Sequence, residues 1–177
     1  MITGLIIVVV IIILIYSYGK VENQESLCKE TYNYLQECLM KRYDIAEHLT
    51  TYVAQFVNYY QKPMTGDFKA LREANRVRFY EIEHIETYLT EAIIKAIKIA
   101  EEETDVVKGD EYYEILKELN QNERYIYYAL IECNRQRELY NEKLHVFPII
   151  LFARFYGYQD KAMLQIPLAT YPPKEKK

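Results

Sequence analysis

Hydrophobic and polar positions along the chain fall into two regimes. From Leu5 to Ile15 every residue is Leu, Ile or Val, and from Ile2 to Tyr18 no side chain is charged at neutral pH. Beyond Lys20 the apolar positions recur every three or four residues, the spacing that places them on one face of a helix. In the first such segment Cys28, Leu35, Arg42, Leu49 and Phe56 form one seven-residue line beside Tyr32, Leu39, Ala46, Val53 and Tyr60. In the second, Leu71, Arg78, Ile85, Ala92 and Ile99 lie beside Asn75, Ile82, Leu89 and Ala96, with Asp67 placed as an N-cap. In the third, Tyr112, Leu119, Ile126, Cys133, Tyr140 and Phe147 lie beside Leu116, Glu123, Leu130, Arg137 and Leu144, with Asp110 as the cap. Breaker residues separate the three: Pro63 and Gly66, then Gly109.

The pattern predicts an all-α protein: an N-terminal single transmembrane helix followed by an antiparallel up-and-down helical bundle of three long helices plus a short fourth. Gly19 is expected to close the leading helix, so that residues 1–19 form an anchor and residues 20–158 the bundle. The bundle helices are expected to rise, descend and rise from the membrane. Phe147 and Pro148 stop the third helix, and Ile149 to Tyr158 packs back as a core-covering lid, a membrane-touching patch being the alternative. Gly157 ends that helix. Pro167, Pro172, Pro173 and the charged terminus mark residues 159–177 as a flexible tail.

A helix from residue 2 to residue 18 is roughly 25 Å long, enough to cross a hydrocarbon core with some local thinning. A cleaved signal peptide would carry basic residues before the apolar run, and none precedes Leu5. A buried core helix would show a polar stripe. The run is therefore expected to contact the lipid bilayer through residues 2–18, with Tyr16 and Tyr18 at headgroup depth. Lys20 and Lys29 follow it, which favours a single-pass protein with a cytoplasmic body.

The formal net charge is -4 and the sequence pI about 5.5, so a phosphate-binding basic face is not expected and no nucleic-acid partner is assigned. Cys28, Cys38 and Cys133 are an odd set on separate elements, which suits a reducing compartment rather than a disulfide framework. Five glycines leave no room for a phosphate-binding loop or a nucleophile elbow.

The charged residues on the inner lines carry more information. With the helices rising, descending and rising, Arg42 and Glu123 fall within roughly 5 to 10 Å of each other in height and are expected to bond across the bundle, since an unpaired charge there would cost several kcal/mol; the alternative is that both snorkel to the rim. Arg78 and Arg137 are expected either to face a solvated mouth or to hold an anionic ligand or partner carboxylate. Glu81-x-x-His84 and Glu142-x-x-His145 repeat the Glu-x-x-His element of di-iron bundles. At 100° per residue, however, both imidazoles fall outside the apolar stripes, and the motifs stand at different heights. His48 has no second ligand beside it. No cofactor, metal or catalytic residue is assigned, and a di-metal carboxylate enzyme remains the minor alternative. The 19 tyrosines sit largely at stripe edges; those facing outward are candidates for a partner surface.

Leu39-Met40-Lys41-Arg42-Tyr43-Asp44-Ile45, followed by Leu49, resembles a Leu-Lys-Arg-Arg-x-Asp-Leu-Ile stretch in the first soluble helix of LemA family proteins. Glu123, Ile126, Ala129, Asn134, Tyr140-Asn141, Phe147-Pro148, Ala153 and Gly157-Tyr158 are similar in order and spacing to that family's second signature. Ala46-Glu47 stands where the family often has Pro, so the first bundle helix is expected to run unbroken. Cys133 replaces an aromatic and Leu130 an Arg. The resemblance implies a bacterial plasma-membrane protein with a helical bundle and no established catalytic activity, from a family linked to membrane organisation and found near membrane proteases. The expected function is a membrane-anchored, non-catalytic interaction or scaffold protein, a possible homo-oligomer, with an adaptor or regulator of a membrane protease as the alternative.

Overall fold

Between Ile2 and Phe56 no proline interrupts the chain, and the computed structural model forms one continuous helix there, α1 (Ile2–Phe56). The structure describes residues 2–56, 82–102 and 109–169, apart from the side chains at 2, 3, 6, 7, 152 and 154. Three further helices follow: α2 (Ile82–Glu102), α3 (Asp110–Leu144) and α4 (Ile149–Tyr156). The helix does not stop at Gly19 as expected. A single exposed glycine costs a helix only about 1 kcal/mol, too little to end one that is continued on both sides. Ala46-Glu47 passes unbroken, as the absence of proline predicts.

No helix among the described residues is long and apolar enough to cross a membrane, so the span expected over 2–18 is not shown. The described side chains of the leading run are nonetheless nearly all exposed, from Leu5 and Val8 through Ile13 to Ile15.

The chain divides into two compact units. The first takes Met1–Tyr34 and Ile131–Leu164. In it the lower part of α1 and the end of α3 bury Val21, Cys28, Tyr140 and Leu144 together with Ile149 and Ala153 of α4. The second takes Leu35–Leu130 and Gln165–Lys177, with a core built from Ile45, Leu49 and Val53 of α1, Leu89, Ile93 and Ala96 of α2, and Ile115 and Leu119 of α3. Most positions on the predicted inner lines are buried where they are described; Tyr32, Ile99, Leu116 and Leu130 are half-buried, and Phe56 and Phe147, at the line ends, are exposed.

Helix directions depart from the expected rise, descent and rise. Cys38 faces Asn122, Arg42 faces Glu123, and Tyr52 stacks on Tyr112, so α3 runs antiparallel to α1 in the second unit. Glu86 bonds Arg42 and Tyr43, whereas Glu101 lies near enough to Tyr112 to act on its hydroxyl, so α2 runs in the sense of α1. Residues 57–81 lie outside the described residues. The expected cap Asp67 lies outside the described residues too. At α3, the Gly109 carbonyl accepts from Tyr112 N–H, and Asp110 is the first helical residue.

Helix α3 ends at Leu144, a turn through Pro148 follows, and α4 closes with Gly157 in the left-handed conformation (φ 73°), where Tyr158 N–H reaches back to Ala153 O. Because the helix has already ended, Phe147 does not continue the inner line and is 77% exposed. The lid expectation holds for one face only. Ile149 and Ala153 are buried, while Leu151 and Phe155 on the opposite face are exposed.

The expected flexible tail is also corrected as far as residue 169. Tyr158–Ala169 is an extended strap held by side chains, because asparagines on α3 offer both a donor and an acceptor to its backbone. Residues 170–177 lie outside the described residues.

Candidate functional site

Arg42 is the centre of the second unit. It is fully buried, and its position on the inner line of α1 forces the guanidinium to find all its partners inside the protein. Its Nε donates to Glu123 Oε1 at 2.8 Å and its Nη1 to Glu86 Oε2 at 2.9 Å. Its Nη2 donates to Thr90 Oγ1 at 2.8 Å and to Pro167 O at 3.2 Å. The carboxylates are saturated in turn: Tyr43 O–H donates to Glu86 Oε1, and Ala169 N–H to Glu123 Oε2. Thr90 O–H also reaches Pro167 O at 3.0 Å. One cation thus holds two acids, and the cluster ties α1, α2, α3 and the strap together.

The expected bond between Arg42 and Glu123 is present. Glu86 and Thr90 were missed, although Glu86, Ile93 and Ala100 form a third seven-residue line on α2, and all three are buried. That line is the available signal: a helix packed against more than one neighbour buries a stripe wider than two lines.

Burial pushes the Glu86 and Glu123 carboxyls up from their ordinary value, and Arg42 beside them opposes this without cancelling it. The sign of the pH dependence follows. Acids with raised folded-state pKa bind more protons folded than unfolded, so their contribution to stability is complete below the ordinary carboxylate range and is lost as pH rises through the elevated values. We predict that Glu86→Gln flattens the fall in unfolding free energy with pH in that window, measured by denaturant titration across mildly acid to neutral pH. A parallel pair of curves would contradict it.

In the first unit the polar groups clasp the strap. Asn134 Nδ2 donates to Leu164 O, and Asn134 Oδ1 accepts from Leu164 N–H, both at 2.9 Å. Asn141 makes the same pair with Lys161 at 2.9 and 2.8 Å. Two helix turns separate the asparagines, about 10 Å, and three extended residues span the same distance, so the registers match. Arg137 between them donates to Ala162 O at 2.6 Å and lies 5.6 Å from the Tyr32 ring centre. It is buried and donates to a backbone carbonyl of its own chain, so it does not face a solvated mouth. Arg78 lies outside the described residues. Tyr140 is buried under the Lys161 ammonium, and burial with nearby Glu25 pushes its hydroxyl up to about 12. Gln24 donates to Gln136 Oε1 at 2.6 Å, and the Cys28 thiol donates to Gln136 O.

The remaining motif residues play smaller parts: Asp44 is exposed, Pro148 is half-buried in the turn, and Gly157 supplies the left-handed cap. His84 and Glu142 are exposed, Glu81 lies outside the described residues, and exposed His145 pairs with Asp160. His48, also exposed, pairs with Glu111 at 3.2 Å. Among the described residues no group of three His, Cys, Asp or Glu could hold a metal ion. The three cysteines are buried and none is in a disulfide.

Taken together, the helices and the ionic centre define an all-α bundle protein whose buried Arg42, Glu86, Thr90, Glu123 and Arg137 bond its own backbone and side chains. The buried Tyr112 hydroxyl has no hydrogen-bond partner among the described residues. The LemA family model matches residues 31–175, and the chain belongs to the LemA family. That match takes in both the ionic centre and the strap. No curated protein and no solved structure matches the chain.

Proposed function

We propose that this protein is a membrane-tethered helical scaffold that acts by binding other proteins, copies of itself among them, and not by catalysis. The observation that carries the reading is the apolar surface of α1, where Leu5, Val8, Val9, Val10, Ile11, Ile12, Ile13 and Ile15 are all exposed around the helix. Leaving such a surface in water costs about 25 cal/mol per Å², and a hydrocarbon core removes that cost. Ile6 and Ile7 complete the run in sequence, and Lys20 follows it with its ammonium 4.6 Å from the Tyr16 ring centre. The positive charges at Lys20 and Lys29 favour a cytoplasmic body on the bacterial plasma membrane.

Outward-facing Tyr88, Tyr113 and Tyr125 on the second unit offer amphipathic rings to a partner. Tethering holds copies in one plane and raises their effective concentration. The full chain is expected to stay in the membrane pellet through alkaline carbonate extraction. Val10→Arg with Ile13→Arg, each roughly 2.5–3.5 kcal/mol against insertion, is expected to release it with its helix content intact. Recovery of the parent chain in the aqueous fraction would overturn the tether. In mild detergent, a mass of many copies supports self-assembly, whereas a single-chain mass leaves an adaptor for another membrane protein, a membrane protease among the candidates.

A further inference from the structure

Helix α4 carries two opposed stripes. Ile149 and Ala153 face the core of the first unit, and at 100° per residue Leu151 and Phe155 point the other way. Phe155 is 83% exposed, Leu151 60%, and Phe147 in the preceding turn 77%. Val146 and Tyr156 are exposed beside them, so five large apolar or aromatic side chains border one short helix. A contiguous apolar patch of this kind marks a contact surface.

Its place in the unit identifies the occupant. The Tyr156 ring lies 6.2 Å from that of Tyr18, and Tyr158 hydrogen-bonds Tyr18. Tyr18 is three residues beyond Ile15, about 4.5 Å farther along α1. The patch therefore continues the apolar surface of α1 at the level where that surface ends, and its Phe and Tyr side chains are those suited to the boundary between headgroups and acyl chains.

We propose that α4 is an interfacial membrane contact that seats Phe147, Leu151 and Phe155 in the lipid boundary beside the exit of α1. The proposal rests on the tether reading for the level of the bilayer. It assigns the unit a second, lateral grip on lipid, which would restrict its tilt about the single helix.

The test uses the full chain in phosphatidylcholine and phosphatidylglycerol vesicles. The native cysteines are buried, so an exposed cysteine can carry an environment-sensitive fluorophore. Leu151→Cys, Phe155→Cys, Val10→Cys and, as an exposed site in the second unit, Tyr113→Cys are labelled separately. Each is quenched by lipids bearing a nitroxide either near the headgroup or deep in the acyl chain. Expected are strong quenching of 151 and 155 by the shallow nitroxide, of 10 by the deep one, and none at 113. Quenching at 10 but not at 151 or 155 overturns the proposal and leaves the tether standing. Quenching at 151 and 155 but not at 10 overturns the tether and with it the placement of α4 beside the exit of α1; quenching at none of the three likewise overturns both. A blue-shifted label at 155 that no lipid nitroxide quenches means a protein covers the patch, and likewise overturns the lipid assignment.

Discussion

Arg42→Met is expected to destabilise the second unit by about 3–5 kcal/mol, a large share of the roughly 5–15 kcal/mol that holds a domain folded. Methionine fills much of the space but supplies no donor. Glu86 and Glu123, both fully buried, would lose their common cation, and Pro167 O would lose one of its donors. Chemical denaturation followed by circular dichroism reads the change. A loss below about 1 kcal/mol, the scale of a surface pair, would mean that the cluster does not hold the unit.

The two acids are expected to differ under the same amide substitution. In Glu86→Gln the amide nitrogen can face Tyr43, whose hydroxyl can turn to accept, while the oxygen keeps Arg42. Glu123→Gln has no such arrangement. One oxygen accepts from Arg42 Nε and the other from Ala169 N–H, and neither donor can become an acceptor. The Glu123 variant should therefore be the less stable of the two, by about 1–3 kcal/mol. Equal stabilities would argue against this bonding pattern.

Releasing the strap is the second large effect. Asn134→Ala with Asn141→Ala removes all four amide-to-backbone bonds at Lys161 and Leu164, about 1 kcal/mol each. Lys161 is one of the two clasped residues and the peptide bond after it lies between the clasps, so trypsin cleavage there reports local opening. We expect cleavage at that site to quicken by about tenfold or more, since 1.4 kcal/mol is already a tenfold change in an opening equilibrium. The core helices should resist trypsin as in the parent chain. Unchanged cleavage at Lys161 would show that the asparagines do not hold the strap.

The period of apolar residues was enough to define the helical class and the inner faces of α1 and α3, because local geometry alone places every seventh residue on one line. It put Arg42 and Glu123 on inner lines, and the cost of burying either charge alone is what called for a partner. Gly157 announced the end of α4 for a similarly local reason: a left-handed cap needs a residue without a side chain. Glu86 was harder to find, since one buried acid on a helix flank looks like any surface acid until the facing arginine is known.

What the amino-acid order settled by itself was the helical class, most of the buried lines and the long uncharged stretch at the front, all of them properties of neighbours within a few turns; the join of the leading run to the first bundle helix was not among them. Tertiary structure decided the rest: that α2 runs with α1 and α3 against it, that one arginine serves two acids, and that the segment after Tyr158 lies bound along the α3 asparagines. These depend on which residues meet across long stretches of chain. No periodicity within a single segment encodes that meeting, because its energy exists only once both partners have left water.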